Sequence, residues 1–166
     1  MKVKSITLNS ILLATGIVLQ LFENFLPTIV GIPGGKLGIA NIVTILCINL
    51  LNVKSTFVIC ALRPIISSLL YGGITQLPFS LAGSLLSFVV MTIIIKKSDK
   101  FSYMGVAIIG AVAHNFAQVT IAAFMYSNLL IYSYLPLLLI ISVISGYFTG
   151  FCSTLIIRKY KKRKNV

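Results

Sequence analysis

Residues 134–164 read YLPLLLIISVISGYFTGFCSTLIIRKYKKRK. Twenty-four positions run without a charge, and six of the next seven residues are Lys or Arg. A helix rises about 1.5 Å per residue, so about 20 mostly apolar residues cross a hydrocarbon core about 30 Å thick. The basic block closing the stretch marks the cytoplasmic side of such a crossing.

The same alternation recurs along the 166 residues. Fourteen Lys and Arg stand against two acids, Glu23 and Asp99, while 58% of the residues are hydrophobic and the mean hydropathy is strongly positive. Apolar stretches at residues 6–26, 37–51, 56–71, 79–95, 103–125 and 134–157 give about six candidate transmembrane helices. The second and third are short and joined tightly through Leu51-Asn52-Val53-Lys54.

Lys2 and Lys4 precede the first stretch, Lys54 lies between the second and third, and Lys96, Lys97 and Lys100 lie between the fourth and fifth. The opposite connections hold only Lys36. Six crossings with every other loop basic put both termini in the cytoplasm. The expected fold is all-α: one integral membrane domain over residues 1–166, a bundle of about six transmembrane helices in the cell membrane. The first stretch is too long for a signal-peptide core, contains Gln20 and Glu23, and precedes no small-x-small cleavage site. It is expected to be a retained helix.

Composition also limits the chemistry. Two carboxylates cannot build an aspartate-rich magnesium site. Cys47, Cys60 and Cys152 lie singly inside spans, with neither a disulfide framework nor zinc spacing. No phosphate-binding loop is present, so any ATP-driven step would need other proteins. No cofactor, metal or catalytic residue is expected. The tail from Arg158 to Lys164 is expected to fix topology and touch anionic lipid rather than nucleic acid.

Polar side chains inside a bilayer are costly and point to function or to bundle packing. Arg63 lies nine residues beyond Lys54, on the order of 13 Å into the membrane. It keeps its charge and precedes Pro64, which frees a backbone carbonyl one turn back. Two readings stand: an internal ion pair with Glu23, or a cavity-facing cation that meets an anionic ligand. His114, Asn115 and Gln118 share a helical face at comparable depth, either as a polar pocket wall or as interhelical hydrogen bonds. Asn41 and Thr44 head the second stretch, and Lys36 sits in the glycine-rich connection Gly31-Ile-Pro-Gly-Gly-Lys-Leu-Gly38. Asn41 and Lys36 are expected at the entrance. Gly83-Ser84, Gly146 and Gly150 read as close helix packing.

The run Pro33-Gly-Gly-Lys36-Leu-Gly38-Ile-Ala-Asn41-Ile-Val-Thr44 carries a resemblance, together with Leu62-Arg63-Pro64 through Gly72, Ser80-Leu-Ala-Gly83-Ser-Leu-Leu-Ser87 and Gly110-Ala-Val-Ala-His114-Asn115-Phe-Ala-Gln118. Over nearly its whole length the chain resembles the Gx transporter family, also labelled heptaprenyl diphosphate synthase component I. That family is similar to the substrate-binding S-components of energy-coupling-factor transporters. The resemblance implies six helices, both termini inside, and an outward-opening pocket built by external loops and the outer halves of the later helices. It also implies energising transmembrane and ATPase subunits as partners, met through small residues of the first helix. Ser10 and Ala14 match that face only in part.

The leading expectation is therefore a membrane subunit that binds and translocates a small anionic molecule such as a vitamin, a flavin or an isoprenoid or quinone precursor. Its candidate binding residues are Arg63, His114, Asn115, Gln118, Asn41, Lys36 and Glu23. The competing expectation is a non-catalytic accessory subunit linked to heptaprenyl diphosphate or quinone synthesis, or to a membrane redox assembly.

Overall fold

The computed structural model describes residues 2–25, 38–71, 73–97 and 101–164. Among them run six helices: α1 (Lys2–Phe25), α2 (Asn41–Leu50), α3 (Val53–Tyr71), α4 (Leu77–Lys97), α5 (Tyr103–Met125) and α6 (Leu135–Lys164). Short 3-10 turns at Ile74–Gln76 and Leu129–Tyr134 lead into α4 and α6. The chain is an all-helical, multi-pass membrane protein, with five stretches long and apolar enough to cross a bilayer.

Local chemistry sets several helix starts. The Ser102 side chain accepts a hydrogen bond from the Gly105 amide at 3.2 Å, capping α5. Asn52 Oδ1 does the same for the Ser55 amide at 2.8 Å, at the head of α3. Pro78 falls in the first turn of α4, where its missing N–H costs nothing, and Lys96 and Lys97 sit in the last turn, against the negative end of the helix dipole.

Neighbouring helices alternate in direction. A Cβ on Gly146 would lie 2.5 Å from Ile108 Cα, and one on Gly150 would lie 2.5 Å from Met104 Cα, so α5 and α6 are antiparallel with their backbones in contact. Gly110 of α5 likewise admits Met91 of α4. Helix α1 runs parallel to α3: Asn9 reaches Ser55, and Gly16 meets Arg63. These contacts bring both ends of the chain to the same end of the bundle. Lys54, Lys96, Lys97 and the basic turns of α6 gather there.

Side chains are arranged for lipid. On α6, Ile140, Ile144 and Phe148 point outward, whereas Ser142, Ser145, Thr149 and Ser153 are buried. The hydrocarbon tails are as apolar as the outward residues, so the inner face is free to carry small and hydroxylated side chains that allow close approach. On α1 the buried stripe is Leu12, Gly16, Gln20 and Glu23.

The departure from expectation is α2. The sequence suggests a crossing over residues 37–51, but the helix covers only ten residues, about 15 Å or half the hydrocarbon core. Its start is fixed by a turn. Gly38 has φ +76, and the amides of Asn41 and Ile42 bond back to Gly38 and Ile39 at 3.0 and 3.1 Å. The head of α2 consequently lies level with Arg63, in the middle of the bundle. Lys36 and the rest of the glycine-rich connection before Gly38 lie outside the described residues.

Candidate functional site

Arg63 projects from the middle of α3 and is 1% exposed. Its aliphatic stem crosses α1 at Gly16, where a Cβ would stand 2.9 Å from Arg63 Cδ. The guanidinium donates to neutral oxygens on two other helices. Nη1 meets the Ala40 carbonyl at 2.5 Å and Thr44 Oγ1 at 3.4 Å, and Nη2 meets Ser84 Oγ at 3.0 Å. Nε has no hydrogen-bond partner among the described atoms.

Pro64 explains part of this arrangement. Lacking an N–H, it leaves the carbonyl of Cys60, one turn back, without its helical donor. Ser84 supplies one: its hydroxyl donates to Cys60 O at 2.8 Å while accepting from Arg63. A single serine on α4 thus repairs the proline break in α3 and orients the arginine. In hydrocarbon, where water cannot satisfy a stray carbonyl, this repair is needed for α3 to cross.

Gln20 and Glu23 of α1, Gly38, Ala40 and Asn41 at the head of α2, Arg63, Ser80 and His114 line one cavity. Its volume is about 10 Å³, room for a single water. Glu23 accepts a hydrogen bond from the Gly38 amide. A Cβ on Gly83 would fall 2.9 Å from Cε1 and Nε2 of His114, so that glycine makes room for the imidazole. Asn41 is fully buried, and neither its amide oxygen nor its amide nitrogen has a partner.

The cavity carries one carboxylate, Glu23, and one guanidinium, Arg63. The positive end of the α2 dipole, up to about half an elementary charge, opens at the same level as the permanently charged Arg63. Glu23 is the only carboxylate carried by the described helices. Irregular backbone at membrane depth is tolerated where it is buried in protein or lines a cavity, and the turn at 38–40 lines this one.

The sequence-derived set divides in the structure. Arg63, Glu23, His114 and Asn41 share the cavity, and Asn41 lies on its wall at Arg63 depth because α2 starts so deep. Asn115 turns toward α6 instead, its amide donating to Ser142 Oγ at 2.7 Å. Gln118 is buried without a partner for either amide atom and is not part of the cavity lining. Lys36 lies outside the described residues. Gln20, Ser80 and Ser84 were not among the candidates. The spacing of Gln20 and Glu23, three apart on one helical face, was a readable signal for the first. The cavity draws on α1 and α2 as well as on the later helices.

A buried guanidinium held by three helices beside a half-length helix, inside an apolar bundle, defines a polytopic membrane protein with an internal polar site. The chain belongs to the family described as heptaprenyl diphosphate synthase component I, whose family model matches residues 12–156. No curated protein and no solved structure matches the chain.

Proposed function

We propose that this protein is a non-catalytic membrane subunit whose Arg63 cavity binds the anionic group of a small molecule, in an assembly with other subunits. The observation that carries this reading is Asn41. It is buried at the head of α2 with both amide atoms unspent, on the wall that also presents Arg63. An unmet buried amide costs about 1–3 kcal/mol, and at Asn41, unlike at Gln118 outside the cavity, that unmet capacity lies beside a buried charge. Arg63 supplies the counter-charge, while Asn41, Gln20 and His114 supply directional hydrogen bonds. Any guest larger than water requires the surrounding helices to part, and α1, which buries a single stripe, is the helix that gives way. The basic end of the bundle faces the cytoplasm, in a cell membrane, and on this reading the guest enters from the opposite end, as in a transporter's binding subunit. Energising transmembrane and ATPase subunits are the partners such a role requires.

The family's description favours a second reading, a membrane accessory to heptaprenyl diphosphate synthesis. With two carboxylates in the whole chain, the magnesium-dependent chemistry would belong to another subunit.

Mass spectrometry of small molecules that co-purify with the detergent-extracted protein tests both. An anionic compound retained by the wild type and missing from folded Arg63→Ala and Asn41→Leu variants is the expected result. Asn41→Leu keeps the experiment informative should Arg63→Ala fail to fold, since Asn41 makes no side-chain bond to lose. If only bulk lipid accompanies wild type and variants alike, the binding reading is wrong and the accessory role gains.

A further inference from the structure

At the basic end of the bundle, α1 and α3 leave a groove of about 290 Å³ between them. Its lining is graded. Asn9, Ser10, Lys54 and Ser55 form one end, and Leu13, Val58, Ile59 and Leu62 form the other. From Lys54 to Leu62 is eight residues, about 12 Å along α3, which carries the groove from the membrane surface toward the midplane. Asn9 and Ser55 also line a second hollow of about 270 Å³ that reaches Leu50, Asn52 and Tyr160. The polar end therefore continues toward the basic last turns of α6.

We infer that this groove is a binding site for one anionic phospholipid of the inner leaflet, its glycerol-phosphate headgroup at Asn9, Lys54 and Ser55 and one acyl chain along Leu13, Val58, Ile59 and Leu62. Two features select that occupant. Lys54 is exposed at the head of α3 with no acid among the groove residues, so the charge calls for an anion. The polar-to-apolar gradient runs in the direction in which a lipid runs from headgroup to chain. The groove is separate from the Arg63 cavity, with no lining residue in common.

Native mass spectrometry of the full chain released from nanodiscs tests the site, with phosphatidylglycerol and phosphatidylcholine in equal amounts. The wild type should retain one phosphatidylglycerol in preference to phosphatidylcholine. Val58→Trp, at a half-exposed position, should fill the groove and abolish that adduct. Lys54→Gln should weaken it about fivefold, the weight of one cation at an anionic lipid surface. Lys161→Gln with Lys162→Gln should leave it in place. A thermal unfolding midpoint equal to wild type certifies each variant as folded. The inference is overturned if the adduct survives Val58→Trp, if it disappears with the tail charges alone, or if phosphatidylcholine binds equally. It is also overturned if added polyprenyl phosphate displaces the lipid from the wild type at equal concentration, which would make the groove a prenyl site.

Discussion

Two buried polar regions of this bundle spend their hydroxyls differently. Along the α5–α6 seam the hydroxyls are spent locally: Ser142, Thr149 and Ser153 donate to Leu138, Gly146 and Thr149 carbonyls of their own helix at 2.7, 3.0 and 2.7 Å. Gly146 and Gly150 let the backbones touch. Around Arg63 the bonds cross between helices, as Asn115 to Ser142 also does on the seam, and capacity is left over at Asn41 and Arg63 Nε beside a buried charge. Hydroxyls bonded to their own backbone only lower the cost of a polar atom in lipid, whereas unspent buried groups are worth keeping when something else is to meet them. The seam spends its hydroxyls on its own backbone, and the cavity sets unspent groups beside a buried charge.

Three substitutions sharpen that contrast. The largest effect belongs to the seam. Gly146→Leu drives a side chain into the Ile108 backbone, which cannot yield, and should destabilise the fold by about 3 kcal/mol. Unfolding in detergent reads this directly, and a midpoint equal to wild type would show that the helices are not clamped there. Next comes Ser84→Ala, which strips the Cys60 carbonyl of its donor and should cost about 1–3 kcal/mol. In a Pro64→Ala background the helix regains its own N–H, so the same serine change should cost less than half as much. Equal costs in both backgrounds would mean that Ser84 does not repair the proline break. The smallest effect is Thr149→Val, where the lost bond is local; about 0.6 kcal/mol is expected, and a loss several times larger would make the seam a hydrogen-bonded network rather than a packed one.

Much of this was legible in the residues, unevenly. The span at 103–125 coincides with α5, and the spans expected at 6–26, 56–71 and 79–95 differ from α1, α3 and α4 by at most four residues at either end. Long apolar runs between basic clusters leave little freedom to a chain that must satisfy its backbone inside lipid. The span expected at 134–157 ends before α6 does, since the helix continues to Lys164: hydropathy reports where the membrane ends and not where hydrogen bonding does. Arg63 stood out as a charge at membrane depth, and Glu23, His114 and Asn41 do gather around the same cavity. Asn115 and Gln118 could not be sorted from His114, because a shared helical face spans more than one neighbour. Ser84, read as packing, turned out to hold both Arg63 and the Cys60 carbonyl.

The sequence by itself determined the class: an all-helical membrane bundle, basic at every second connection, with an arginine where lipid tolerates none. That follows from transfer energetics, which depend on composition along the chain. Only the tertiary structure decided that α2 is half a helix opening at Arg63, that Gly16 and Gly83 clear space for two polar side chains, and that α1 and α3 part into a graded groove. Those features arise from how helices far apart in sequence meet, and packing geometry of that kind is not written in the hydropathy of any one segment.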